Sequence, residues 1–445
     1  MFVNLRGDSM NILFTFGEDD PALYPGVNKT IDFLKNDCIQ STFWKNKNRY
    51  PYWYNTRAID LLYISYAVFA ADRLSLRKNA KDAWRREFKL YVPLINADLF
   101  IKSVGLLQKM LSFLTGDQWE FYFRKRDLTE QEKLDKKTIN EKKYKKGECK
   151  GYDRICMFSG GLDSFVGAID ILERKDNLKT LFVSHYGGGK GTKEYQDYLK
   201  DRFCDTYHLE ERDFCQFYAK VVGGLEDTTR SRSFMFFSHA VALASAQGKS
   251  IDLFIPENGL ISLNIPSTYS RIGTSSTRTT HPYYMKLFQR LIDELGLSIH
   301  FQNPYQFKTK GEMLVECRNQ EFMRKNLIHT MSCSHPDLGR MHSEKEARHC
   351  GYCLPCVIRQ AAILRAGIED PTSYRDRLFK SGPNEQTIFN SYMLGLSKFN
   401  PKVAFMTIQM NGPIEEDIKD YTSLYIRGMN EMKKYIDTIK TPCSK

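Results

Sequence analysis

The sequence predicts an α/β protein built on a doubly wound parallel sheet, with an α+β domain before it, a four-cysteine knuckle within it and a helical extension after it. Three observations carry this expectation. From Asp153 onward, short apolar runs alternate with amphipathic stretches at helical spacing, the order that builds a parallel sheet covered by helices on both faces. One junction in that series, Ile155-Cys-Met-Phe-Ser-Gly-Gly-Leu-Asp-Ser164, is an apolar run that breaks at two glycines and then opens a helix. The residues before a lysine-rich run at 133–150 follow a pattern of their own.

The junction is the most informative stretch. Adjacent glycines let the backbone turn tightly and approach a ligand, and the free N–H groups at the start of the next helix offer donors and a positive dipole end to an anion, phosphate above all. Ser159 and Ser164 add hydroxyls, and Asp163 could cap the helix or approach a magnesium ion carried by a nucleotide. The stretch lacks the Gly-Lys-Ser/Thr of a Walker A loop and the spacing of a dinucleotide fingerprint. As a whole, Ser159-Gly-Gly-Leu-Asp-Ser164 resembles the PP-loop of the ATP pyrophosphatases. That resemblance implies a HUP-like nucleotide-binding fold, ATP held at Ser159, Gly160, Gly161, Leu162, Asp163 and Ser164, and catalytic roles for Ser159, Asp163 and Ser164.

With 445 residues the chain is long enough for two or three domains, and 42% hydrophobic with 27% charged residues is ordinary globular composition. No apolar run approaches the ~20 residues of a membrane span and no signal-peptide core opens the chain, so a cytoplasmic location without membrane contact is expected. In that compartment the 11 cysteines should be reduced. The net charge of +12 is partly local: Lys133, Lys136, Lys137, Lys142, Lys143, Lys145, Lys146 and Lys150 cluster in a stretch that reads as a solvated linker, residues 131–150, or a helix end, in preference to a nucleic-acid contact.

Residues 1–130 read as the α+β domain: a strand over 12–16, a helix through Ile59, Leu62, Tyr63, Tyr66, Ala67 and Ala70, a strand over 88–92, a helix over 99–114 stopped by Thr115-Gly116, and a half-buried strand carrying Trp119, Phe121 and Phe123. Trp44, Trp53 and Trp84 read as core, and no catalytic constellation is present there.

In residues 151–370, further strands are expected over 180–184, 206–209, 251–255 and 298–302, with helices running to 173 and over 194–203, 233–247 and 284–295. Ligands collect at the carboxyl ends of such strands. Ser184, His185 and Tyr186, followed by three glycines and Lys190, could wrap the adenosine of ATP. After the next strand end come Glu257, Asn258, Asn264 and the run from Ser276 through Arg278 to Pro282. A glutamate can accept two parallel hydrogen bonds from a guanine-like base, the role open to Glu257. Arg230, Arg232 and Arg278 could clamp a carboxylate or phosphate.

Cys350-Gly-Tyr-Cys353-Leu-Pro-Cys356 brings three thiols close together, and Cys333 is the nearest fourth, with His335, His342 and His349 as substitutes. Four thiolates leave no open position, so a structural Zn2+ is expected; an iron–sulfur cluster would also accept them. The seven remaining cysteines, Cys38, Cys149, Cys156, Cys204, Cys215, Cys317 and Cys443, read as unpaired thiols.

The glycine turn, the cysteine knuckle (333–356) and Arg359 after it together resemble QueC, the 7-cyano-7-deazaguanine synthase family, over residues 151–370. The resemblance implies ATP- and Mg2+-dependent adenylation of 7-carboxy-7-deazaguanine, capture of the acyl group by an amine, and a catalytic Lys310 in Thr309-Lys310-Gly-Glu312 that offsets pyrophosphate charge. Arg232, Glu257, Asn258, Asn264 and Arg278 would then line the substrate. The chain departs from QueC in its first 150 residues, in its extension over 371–445, and in Pro256–Asn264 and Ser276–Pro282, which look closer to QatC of the Qat anti-phage system and to the QueC-like protein of type IV CBASS. This implies defence, with ammonia or a protein of the same operon supplying the amine. A tRNA-modifying PP-loop enzyme and a non-catalytic nucleotide-binding scaffold are the alternatives. In the extension, Ile418, Tyr421, Tyr425, Met429, Met432, Ile436 and Ile439 recur at helical spacing.

Overall fold

The structure, a computed structural model, describes residues 9–18, 20, 22–142, 149–187, 190–228, 230–265, 278–339 and 346–440. Lys143, Lys145, Lys146, Gly188, Gly189, Ser276, Thr277, His342 and Cys443 lie outside the described residues.

Ten strands are found among them: β1 Met10–Thr15, β2 Lys29–Asp32, β3 Ile39–Ser41, β4 Glu87–Leu94, β5 Gln118–Lys125, β6 Arg154–Met157, β7 Thr180–Tyr186, β8 Phe214–Val221, β9 Ile251–Phe254 and β10 Ile299–Gln302. They form a four-stranded sheet of order β2-β1-β4-β5 and a six-stranded sheet of order β10-β9-β6-β7-β8-β3. In the larger sheet every pairing is parallel except that of the edge strand β3, which runs antiparallel to β8. Ile155 and Met157 pack into one apolar cluster while Cys156 and Phe158 pack into another, so β6 is buried on both faces and reads as an unbroken apolar run. The arrangement is compatible with a Rossmann-like α/β fold.

The first 130 residues depart from the α+β expectation, because all strands of the smaller sheet are parallel. Parallel neighbours need long crossovers. The helix Thr56–Leu74 supplies one, and the helices Ala97–Lys102 and Val104–Thr115 supply the next. The alternation is hard to read because β2 is only four residues, Lys-Thr-Ile-Asp. The expected helix over 99–114 is broken at Ser103, and Gly116, with φ of 78°, ends it as the sequence indicated.

The helix Thr56–Leu74 is buried at every residue from Ala58 to Asp72, although its sequence suggests one apolar face. It packs against strands of the small sheet and against the helix Arg232–Ser245, which belongs to the large one, so one apolar core runs between the two sheets. At the end of this helix, Asp72 accepts hydrogen bonds from Arg86 Nη2 and from Ser231 Oγ, both at 2.5 Å, and Arg77 and Arg86 also pair with the buried Asp117. This bonding fixes Ser231, and with it the start of the helix that carries Arg232.

The expected strand over 206–209 is instead the end of the helix Lys190–Tyr207, and the strand is β8. Leu199 and Phe203 are buried one turn apart and Tyr207 packs on Phe203 a turn later, which carries the helical register through Thr206. The extension folds as helices Pro383–Lys398, Ala404–Asn411 and Ile418–Lys440, and the last packs Tyr421, Tyr425, Met429, Met432 and Ile436 against the helix Leu354–Arg365 and its neighbours.

Candidate active site

In the large sheet β6 lies between β7 and β9, the point at which the strand order reverses and where open parallel sheets bind ligands. The glycine turn leaves β6 here and enters the helix Leu162–Leu172. Gly160 has φ of 81°, which favours glycine, and a Cβ on it would press on Gln196 Cγ at 3.0 Å. Ser159 is exposed, and its hydroxyl lies 3.1 Å from that of Ser164, which donates to the Gly161 carbonyl at 3.0 Å. Leu162 is buried under the turn.

Asp163, in the first turn of that helix, meets residues from two other strand ends. Its Oδ2 accepts from Asn258 Nδ2 at 2.7 Å, and its Oδ1 lies 3.1 Å from Lys310 Nζ. Asn258 caps the short helix Gly259–Ser262 after β9, and Lys310 opens the helix Lys310–Glu316, which Thr309 and Glu312 close with a reciprocal capping box. Burial pushes the Asp163 carboxyl up, but the Lys310 charge and hydrogen bonds with Glu257, Asn258 and Lys310 more than offset it and hold Asp163 below the usual range. Glu257 moves the other way: burial, then the Asp163 charge and their shared hydrogen bond, push it well above the usual range, with Lys310 opposing. The pair therefore holds one proton, on Glu257.

This proton has a measurable consequence. A carboxyl that binds its proton more tightly in the folded chain loses stability for the fold as pH rises above the range where the unfolded glutamate ionises. Glutamine keeps the shape and donates to Asp163 at every pH. Glu257→Gln is expected to raise Tm by about 1 °C at pH 8, on the order of 1 kcal/mol, with the gain shrinking towards pH 4.5. Thermal melts across that range check it, and a lower Tm at pH 8 would mean that the fold uses an ionised Glu257.

The β7 end brings three more candidates. Ser184 Oγ donates to the Phe158 carbonyl at 2.5 Å and so ties β7 to the turn. His185 is buried and pushed down to about 3, by burial and then by the nearby Arg232 charge, so it is neutral. Tyr186 is partly exposed, beside Tyr218. Arg232 is exposed, at the start of the helix Arg232–Ser245.

Other candidates lie apart from this group. Arg278 donates to the Phe113 carbonyl at 3.1 Å and stacks over the Phe113 ring, and Arg230 is buried against the Thr115 carbonyl and Trp84. Asn264 takes a left-handed φ of 50° at the end of its short helix.

Two contacts to the turn have no signal in the sequence. Gln196 Nε2 donates to the carbonyls of Ser159, at 3.0 Å, and His185, at 3.1 Å. Met331 N donates to the Gly160 carbonyl at 2.8 Å. Two residues later the chain reaches Cys333, whose Sγ lies 3.9 Å from Cys353 Sγ, while Cys350 and Cys356 are also 3.9 Å apart and all four thiols lie within 4.8 Å of one another. Sulfurs at the corners of a tetrahedron 2.3 Å from its centre are separated by about 3.8 Å, so this cluster could bind zinc. His349 does not join it: its Nε2 accepts from Ser332 N at 3.2 Å.

Among the described residues no helix is long and apolar enough to cross a membrane. No family model matches the chain, and no solved structure matches it. Two curated proteins do. The 7-cyano-7-deazaguanine synthase of Syntrophobacter fumaroxidans is 29% identical over 152 residues, 32% of this chain and 55% of that protein. The 7-cyano-7-deazaguanine synthase of Rickettsia akari is 28% identical over 150 residues, 32% of this chain and 56% of that protein. The chain spans about half the length of the curated relatives it matches, and these matches support a QueC-like, 7-deazaguanine synthase-like protein at the level of the family.

Proposed function

We propose that the chain is an ATP-dependent ligase of the PP-loop superfamily that adenylates a 7-deazaguanine carboxylate, 7-carboxy-7-deazaguanine, and passes the acyl group to an amine. The observation that carries the reading is the meeting of Asp163, Glu257, Asn258 and Lys310 beside a glycine turn, with Ser159 exposed, where the strand order reverses.

In this reading the Ser159 hydroxyl and the N–H groups at Gly161–Asp163 receive the β- and γ-phosphates, with Ser164 supporting the turn, and His185 and Tyr186 flank the adenosine. A substrate carboxylate oxygen bonds to the α-phosphorus as the bond to the β-phosphate oxygen breaks, and pyrophosphate leaves with the electron pair. Lys310, paired with Asp163, offsets the charge that develops there. Asp163 Oδ1, which faces Lys310 at 3.1 Å, would also be the carboxylate oxygen to hold a magnesium ion, which would neutralise phosphate charge. Donors on a guanine-like edge favour the ionised form of Glu257 and displace its proton. Arg232 is assigned to the substrate carboxylate and Asn258 orients Asp163, while Arg278, turned to Phe113, and Asn264 lie apart from this group. The amine nitrogen then bonds to the acyl carbon, loses a proton, and AMP departs. The cysteine cluster is a structural zinc site. The likeness of Pro256–Asn264 and Ser276–Pro282 to QatC and to the QueC-like protein of type IV CBASS supports a role in anti-phage defence, with ammonia or a protein of the same operon as the amine acceptor.

The test is exchange of labelled pyrophosphate into ATP with magnesium present. Exchange supported by 7-carboxy-7-deazaguanine is expected. Exchange supported only by unmodified tRNA would move the assignment to tRNA modification. No exchange, together with no deazaguanine adduct on partner proteins by intact mass, would leave a nucleotide-binding scaffold.

A further inference from the structure

The strand of chain that enters the cysteine cluster first crosses the glycine turn. It is anchored upstream by the fully buried Arg359, whose Nη1 donates to Thr330 Oγ1 at 2.6 Å and whose Nη2 donates to the Leu327 carbonyl at 2.8 Å. Downstream it is anchored by Ser332 N on His349 and by Cys333 in the cluster. Between these anchors Met331 N donates to the Gly160 carbonyl, and a Cβ on Gly161 would lie 3.4 Å from the Met331 carbonyl oxygen.

The carbonyl of one residue and the N–H of the next belong to one rigid plane and point in opposite directions. A bond to the Gly160 carbonyl therefore sets the direction of the Gly161 N–H. Gln196, bonded to the Ser159 carbonyl, sets the Gly160 N–H in the same way from the other side. The turn's donors are thus aimed by two hydrogen bonds from outside it, and one comes from a strap whose downstream end is a set of metal ligands.

We propose that Met331 is a positioning residue for the phosphate-binding turn and that metal in the four-cysteine cluster and nucleotide at the turn are thermodynamically coupled through it. This rests on the nucleotide reading above. Loss of zinc frees the downstream end of the strap, the Gly160 carbonyl loses its donor, and affinity for the triphosphate falls. Linkage requires the converse, that bound nucleotide retards zinc loss.

The experiment uses the zinc-loaded full chain, with ATP and magnesium as the probe, and measures ATP affinity and the rate of zinc release to a zinc-selective chelator. Met331→Pro deletes the donor; Thr330, at φ −103° and ψ 142°, already has the extended conformation that precedes proline. Met331→Ala keeps the donor. ATP is expected to slow zinc release by about 5-fold or more, the lower end of usual coupling, in the wild type and in Met331→Ala but not in Met331→Pro, which should also bind ATP about 5-fold more weakly while holding one zinc. Equal slowing in Met331→Pro, or no slowing in a wild type that binds ATP, overturns the coupling and leaves the enzymatic reading intact. A wild type that does not bind ATP overturns both. If Met331→Pro does not fold, hydrogen exchange of residues 155–165 in the wild type before and after zinc removal decides: faster exchange supports the coupling, and unchanged exchange overturns it.

Discussion

Cys353→Ser is expected to leave the protein without its metal and to lower its melting temperature more than any other single substitution named here. Wild-type protein purified under reducing conditions should contain about one zinc per chain, and the variant well below half that. Cys353 sits where two parts of the fold meet. It is the cap residue of the helix Leu354–Arg365, it is buried, and its sulfur faces Cys333 on the strap. The backbone N–H groups of Cys350 and Cys353 point at the sulfurs of Cys333 and Cys350, each at 3.3 Å, the polarity that favours thiolates over thiols. The surroundings leave no slack: at Gly351, with φ of 94°, a Cβ would fall 2.3 Å from the Asp376 carbonyl oxygen. A serine hydroxyl is a poor zinc ligand, and structural zinc contributes about 10–16 kcal/mol of apparent binding free energy in small zinc domains, so losing more than half of that exceeds an ordinary core truncation of about 2–5 kcal/mol. Elemental analysis and thermal melts check the expectation. Full zinc content with an unchanged Tm in the variant would remove Cys353 from the ligand set.

Asp163→Asn is expected to lower pyrophosphate exchange at least about 100-fold, with a smaller loss of stability. The amide keeps the size of the carboxylate and one acceptor for Asn258, but not the charge. Lys310 is left buried without its anion, and breaking a buried pair from one side costs about 3–5 kcal/mol. The lysine then swings towards solvent or gives up its proton, and either removes the cation that the proposed transfer needs. Glu257 also loses the negative neighbour that raises it, so it should ionise at lower pH in the variant. The exchange rate and its pH profile separate the outcomes: a lower rate with the acidic limb moved down in pH is expected, and wild-type exchange would sink the assignment of Asp163 to the site.

What was legible in the sequence is what short-range chemistry encodes. A run of residues buried on both faces, two glycines and a helix start lie within ten residues of one another, so the turn at Ser159–Ser164 could be read directly, as could Cys350, Cys353 and Cys356 at the head of a helix. The same local logic failed where a neighbour distant in sequence decided the outcome. Residues 206–209 look extended but lie at the end of a helix whose apolar face continues on Phe322, and the helix Thr56–Leu74 has no solvent face because the second sheet covers it. The four short residues of β2 gave no sign of a parallel sheet, whose pairing partners lie in β1, itself bonded to a strand more than seventy residues on.

The candidate site divides along the same line. The sequence by itself determined which chemical groups are available: a glycine turn opening a helix, carboxylates at Asp163 and Glu257, a lysine at Lys310 and four thiols. Only the tertiary structure decided that Asp163 and Glu257 share a proton beside Lys310, that Arg278 turns to Phe113, and that Gln196 and Met331 hold the turn. The reason is that a hydrogen bond or a shifted pKa depends on distances of a few ångströms between residues tens to more than a hundred positions apart, and those distances are set by how helices and strands pack rather than by any local preference.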